Sequence, residues 1–209
     1  MARYDSHRAS ERKDRDNLDS GPTREWGPAR RLKSEPAWLI RNRWAETHLE
    51  ERMRTPHIEV RREDIKSEVA SALIRALNEE LSTRYTEPGA NHFRLDAEEV
   101  AEGRGAFVVA YAGTTPVGCG AIRRLDLDTA EIKRMYVDPG ARGQGIGRIV
   151  LARLEAEARS LCVRRIVLET GVRQPEAIAF YSRAGFSQIT AFGEYLDSAL
   201  SVCMGKELR

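Results

Sequence analysis

The chain is poor in the residues that build metal centres and disulfide frameworks. Its 209 residues include four histidines and three cysteines. His57 and His92 have no second ligand at a metal-binding spacing, so no metal is expected. Cys119, Cys162 and Cys203 are unpaired by spacing and lie in apolar runs. They read as buried thiols of a reducing compartment, not as a disulfide scaffold or a zinc site. Long apolar runs are missing too: no stretch approaches about 18 continuous apolar residues, and the N-terminus has no apolar signal core. No membrane association is expected, and the cytoplasm is the expected location. A net charge of +2 excludes a bulk polyelectrolyte role and argues against a nucleic-acid partner.

Aliphatic residues are also nearly absent from the first 25 positions, MARYDSHRASERKDRDNLDSGPTRE. Such a segment buries too little surface to offset the entropy of ordering, so disorder is expected there. Trp38, Leu39, Ile40, Trp44 and Leu49 allow a helix over about 37–53. That arm could dock a partner or bind nucleic acid, though its mixed charges weaken the latter, or it could pack on its own domain or a neighbouring subunit. Residues 1–55 hold 13 Lys/Arg against 10 Asp/Glu, and the remainder 21 against 22. Pro56 marks the boundary, giving a charged extension over 1–55 and one domain over 56–209.

In that domain Ile58–Arg61 alternates as a short strand. Asp64 can cap a helix over 65–84, whose apolar positions Ile65, Val69, Leu73, Leu77 and Leu81 step by four. Asp96–Glu102 reads as a brief helix. The β-rich runs Ala106–Ala112, Val117–Leu125 and Ala130–Val137, separated by turn-length connections, predict an antiparallel meander. A helix over 145–160 and a strand over 164–170 then make a crossover, which implies locally parallel strands. Pro175 opens a second helix running to about Ala184, and Gly185 stops it. Ser187–Thr190 and Leu200–Lys206 supply closing strands.

The most informative stretch is Glu131–Arg159. A strand runs through the turn Asp138-Pro139-Gly140 into Arg142-Gly143-Gln144-Gly145-Ile146-Gly147, and a helix follows at once. Glycines ahead of a helix let the backbone approach a ligand and present bare N–H groups, while the helix start favours an anion. Arg142 and Arg148 add full charges. A P-loop would need Lys-Ser or Lys-Thr after Gly147, and a Rossmann loop would need G-x-G-x-x-G; neither is present. The remaining pattern is Arg/Gln-x-x-Gly-x-Gly/Ala, met by Arg142, Gly145 and Gly147. On these residues, and on PEAIAFYSRAGF over Pro175–Phe186, the chain resembles the GNAT superfamily of acyl-CoA-dependent N-acetyltransferases over about 57–209.

The resemblance implies an α+β GNAT-like fold: a central twisted, mixed, mostly antiparallel sheet with helices on both faces. It also implies acetyl-CoA as co-substrate. Met135, Tyr136 and Val137 would serve as main-chain partners of its pantetheine arm. The Arg142–Gly147 amides (Gly143, Gln144, Gly145 and Ile146 among them) with Arg148 would hold the diphosphate. Gln174 stands where the family has a cofactor-contacting asparagine. Glu131 matches the general-base position, and Tyr181 the general acid beside the sulfur. From the residues alone, Glu131 could equally be a salt-bridged acid beside Lys133 or Arg134, and Tyr181 a packing residue. By the two-residue period of a strand, Glu131 shares a face with Lys133 and Met135.

Arg84, Tyr85 and Glu169 fall where family members line the acceptor cleft. Glu169 suits a cationic amine, whereas Arg84 or Arg124 suits an acceptor bearing a carboxylate. The expected reaction is direct acetyl transfer to a primary amine of a small molecule or amino acid. Alternatives are a protein or peptide acceptor, or a non-catalytic acyl-CoA-binding module. A homodimer through the closing strands is a further expectation from the resemblance.

Overall fold

In the computed structural model, residues 57–87 and 94–208 are described. The extension over 1–55, the helix at about 37–53 and His92 lie outside them. Strands β2 (Gly105–Ala112), β3 (Thr115–Arg124) and β4 (Thr129–Val137) form the expected antiparallel meander, and β1 (Ile58–Arg62) pairs antiparallel with β2. Helix α1 (Glu68–Arg84) lies between β1 and β2 in sequence, preceding a one-turn 3₁₀ segment at Ala97–Val100. Helix α2 (Ile146–Ser160) carries the chain to β5 (Arg165–Gly171), which pairs with β4 in parallel. Helix α3 (Pro175–Arg183), β6 (Ser187–Gln188) and β7 (Ser201–Glu207) follow, and β7 inserts between β5 and β6. The sheet order is β1-β2-β3-β4-β5-β7-β6.

The sheet separates two apolar layers. On one face Val108, Ile122, Ala130, Ile132 and Ile166 meet Ile146, Val150, Leu154 and Ala158 of α2, with Tyr181 of α3 and Phe186 just beyond that helix. On the other, Phe107, Val109, Cys119 and Tyr136 meet Ala70, Leu73 and Leu77 of α1. The α1 boundary differs from the sequence reading. Ser67 is the N-cap and accepts from the Ala70 N–H at 3.1 Å. Asp64 instead closes the preceding turn, accepting from the Lys66 N–H. Cys119 and Cys203 are buried, but Cys162 is exposed. It follows the last turn of α2 at φ +57, a left-handed helix ending in which the chain leaves the core.

Two irregularities in β4 make the site. Pairing with β5 ends at Ile132↔Leu168, although β4 continues to Val137 and β5 to Gly171. Beyond that point the strands part. The register with β3 also shifts between Cys119 and Ala121, and Arg134 has φ +55, which marks a β-bulge. The bulge changes the side-chain phase. Ala130 and Ile132 face the α2 layer before it, and Met135 and Val137 face that layer after it. Glu131 and Lys133 therefore do not share a face with Met135, contrary to the simple two-residue period.

Candidate active site

The β4–α2 loop has the backbone of an anion cradle. Asp138 accepts from the Gly140 N–H at 2.8 Å and tightens the turn. Gly143 and Gly145 both have φ +81, a region that L side chains rarely adopt. Gly145 is the N-cap of α2. No described residue accepts a hydrogen bond from the N–H groups of Gly143 through Gly147, and the helix dipole adds its positive end there. At Gly147 an added Cβ would lie 3.4 Å from the Phe180 ring of α3, so α2 and α3 are in close contact there.

Those amides open onto a cleft of about 520 Å³ between β4, α1, α2 and α3. Met135, Tyr136, Val137, Arg142, Gly143, Gly145, Ile146, Gly147, Arg148 and Gln174 all line it, while Gln144 is exposed and does not. Arg148 is exposed and has no ion pair among the described residues. Arg142 is engaged instead: its Nε donates to the Val137 carbonyl at 2.9 Å, and its fork pairs with Glu80 of α1. The Gln174 side chain turns back on β5, where Oε1 accepts from the Gly171 N–H at 3.1 Å.

A second, smaller chamber of about 120 Å³ fills the gap where β4 and β5 part. Leu77, Met135, Gln174, Ala177 and Tyr181 border both spaces and form the neck between them. Tyr181 is 7% exposed, and among the described residues its hydroxyl donates only to the Met135 thioether, at 3.4 Å. Burial, with the nearby Glu169 charge, pushes its phenol well above the usual tyrosine range. Glu169 lines the inner chamber beside Thr170. Burial raises its carboxyl above the ordinary value, opposed by Ser201 and Lys133 and reinforced by Glu131 and Glu194.

Glu131 has a different setting. It is fully buried and lines neither space. One carboxylate oxygen accepts from Arg123 Nε at 2.7 Å, the other from Tyr195 Oη at 2.7 Å. Lys133 Nζ extends the network to Tyr195 Oη at 3.0 Å and Glu194 at 2.5 Å, and Arg123 also pairs with Glu99. Of the network, Lys133 and Tyr195 face the inner chamber. Glu131 thus braces that wall from behind.

Two expected acceptor residues are employed elsewhere. Arg84 pairs with Glu176 and Glu80 and donates to the Arg173 carbonyl, tying α1 to the start of α3. Tyr85 packs beneath the β5–α3 connection, where its hydroxyl accepts from the Arg173 N–H at 2.9 Å. Neither lines a chamber; of the three, Glu169 does. The sequence reading missed Arg123, Lys133, Arg134 and Tyr195 as parts of the site. A signal existed for Arg123, since the β3–β4 hairpin sets it directly opposite Glu131, a favourable cross-strand pair. Tyr195 sits in a one-turn 3₁₀ segment with no periodicity to announce it. Among the described residues, no group of three His, Cys, Asp or Glu side chains could hold a metal, and no helix is long and apolar enough to cross a membrane.

Comparison with known proteins agrees with this geometry. The model of the acetyltransferase (GNAT) family matches residues 70–186. The IAA acetyltransferase of Azospirillum brasilense is 39% identical over 157 residues, covering 73% of this chain and 99% of that protein. A Klebsiella pneumoniae structure assigned as an acyl-CoA N-acyltransferase superposes with a TM-score of 0.63 at 32% identity, covering 74% of this chain and 99% of that one. The PaiA N-acetyltransferase of Thermoplasma acidophilum, solved with coenzyme A, has the same fold at 19% identity and a TM-score of 0.56, covering 73% and 99%. The chain belongs to the acetyltransferase (GNAT) family, and it is an acetyl-CoA-dependent acetyltransferase.

Proposed function

We propose that the protein acetylates the primary amine of a small molecule by direct transfer within the split between β4 and β5. The observation that carries this reading is the pair of joined spaces, one opening on unpaired amides and the other ending on Glu169, with Tyr181 at the neck. The residues fit a diphosphate-bearing thioester. An added Cβ at Gly143 or Gly145 would meet no protein atom within 4 Å, so the loop backbone faces open space. Acetyl-CoA supplies an activated acyl carbon there.

The chain's own groups do the rest. Amides of Gly143–Gly147, with Arg148, hold the diphosphate, while Met135, Tyr136 and Val137 line the path to the neck. An amine arrives as an ammonium, with a pKa near ~10.4 for a lysine-like group, and has no lone pair until it loses a proton. Glu169, whose carboxyl burial raises above the ordinary value, is suited to take that proton, directly or through water. Tyr181, held protonated, is suited to return one to the departing sulfur. In balance, the ammonium loses two protons as its N–C bond forms and the C–S bond breaks; one ends on the thiol and one in solvent. Glu131, placed at the general-base position by family pattern, acts in this proposal by fixing Tyr195 and Lys133.

The small-molecule reading also draws on the likeness to an IAA acetyltransferase and on the size of the inner chamber. Thiol release from acetyl-CoA with a panel of amines, amino acids and peptides tests it. Turnover confined to small amines is expected; turnover confined to peptides would overturn the small-molecule assignment, and binding without any turnover would favour a non-catalytic module.

A further inference from the structure

The inner chamber has charges of both signs on separate walls. Glu169 stands on the β5 side, and Lys133 and Arg134 on the β4 side. Glu169 is close enough to the neck for its charge to act on Tyr181. Lys133, Arg134 and Tyr195 border the inner chamber and not the outer cleft. We infer that the acceptor is a small amino-carboxylate, an amine with a carboxylate a few bonds away, whose carboxylate is received by Lys133 and Arg134 while Glu169 receives its ammonium. The inference rests on the acetyl-transfer reading above and adds the chemical class of the acceptor.

Three observations support it. First, Arg134 reaches the chamber from the bulge at φ +55, a conformation rarely adopted by a residue other than glycine. Strain of this kind collects where a side chain has work to do at a site. Second, the cations are already aimed by fixed partners. Lys133 Nζ bonds Glu194 and Tyr195, and Arg134 donates to Asn78 Oδ1 at 3.0 Å. An ammonium has three donors and a guanidinium five, so a substrate carboxylate adds bonds to a preset pair and need not displace the existing ones. Third, the arginines that the sequence offered for this role are placed away from the chamber. Arg124 is bonded to the Leu161 carbonyl, at the end of α2, and Arg84 to Glu176.

The arrangement also fixes polarity. With its carboxylate at Lys133 and Arg134, a short amino acid presents its nitrogen toward Glu169 and the neck, where the acyl carbon is delivered. A molecule with the amine alone forgoes the charge-assisted bonds that a carboxylate would add to Lys133 and Arg134. An amino acid amide or a peptide N-terminus has the same defect at its carbonyl end.

The test uses the full chain and acetyl-CoA, following thiol release with matched trios: an amino acid, its primary amide and its decarboxylated amine, for instance leucine, leucinamide and isopentylamine. The expected result is a kcat/KM for the best amino acid at least about 100-fold above those of its two analogues. Arg134→Gln should reduce that preference at least tenfold, chiefly through the KM of the amino acid, and Arg134→Lys should restore part of it. Equal or better turnover of the amides or amines by the unaltered protein would overturn the inference and leave acetyl transfer standing. No thiol release with any acceptor class would overturn both.

Discussion

Among the described residues the Tyr181 hydroxyl has one weak hydrogen-bond partner, the Met135 thioether, and its proton is held by burial. A group so placed is protonated at neutral pH and can offer that proton to the departing sulfur. Tyr181→Phe should therefore lower kcat at least about tenfold while changing the acetyl-CoA dissociation constant less than about threefold, read by turnover and direct titration. Unchanged turnover would make it a packing residue. Glu169 must be ionised to accept a proton, and burial raises its carboxyl. The acid limb of kcat/KM should thus lie above the usual carboxylate range, with activity rising as pH rises through it. Glu169→Gln should remove that limb and most of the turnover; a profile identical to the parent would assign the base elsewhere. Tyr181 was legible in the sequence because the run ending Tyr-x-x-x-Gly-Phe resembles the family's. Arg134 was not, because the bulge that re-aims it leaves no mark in an alternating run.

At the level of elements, close approaches and a buried carboxylate decide whether the helices stay against the sheet. Gly171 ends β5 where Tyr85 passes beneath it; an added Cβ would lie 1.8 Å from the tyrosine oxygen. Gly171→Ala should displace Tyr85 from the Arg173 N–H and cost roughly 2 kcal/mol in urea unfolding; no loss would refute that packing account. Glu157 lies on the buried face of α2 and accepts from Arg62 of β1 and from Arg153. Arg62 first, and Arg153 with it, hold its carboxyl below the ordinary value of 4.5. A depressed carboxyl stabilises the fold above its unfolded value and loses that contribution as pH falls through the folded one. Glu157→Gln should cost about 2 kcal/mol at pH 7, with the gap narrowing once pH drops below about 4.5. A gap that widens in acid would contradict the assignment. The elements themselves were readable from periodicity, with Ser67 in place of Asp64 as the chief boundary change. Either residue suits an N-cap, and only the fold decides which is used.

Across the whole molecule, the site exists because two neighbouring parallel strands pair for four residues and then part. The sequence implied the crossover that makes those strands parallel, and the glycine loop that faces the gap. It did not reveal where pairing would stop, nor that the 3₁₀ segment at Gly193–Tyr195 would complete the inner wall; both follow from contacts distant in sequence. Nor did it show that Arg142 would be taken up by Glu80 and the Val137 carbonyl, which leaves the loop amides as the main anion donors. In the proposed reading that division of labour puts the weight on Gly145, whose φ is +81 and whose surroundings are open. Calorimetric titration of acetyl-CoA into the protein and into Gly145→Asp is the most direct test. Saturable binding in the micromolar range by the parent, lost by at least about 100-fold in the variant, is the predicted result. No binding by the parent, or equal binding by both, would contradict it.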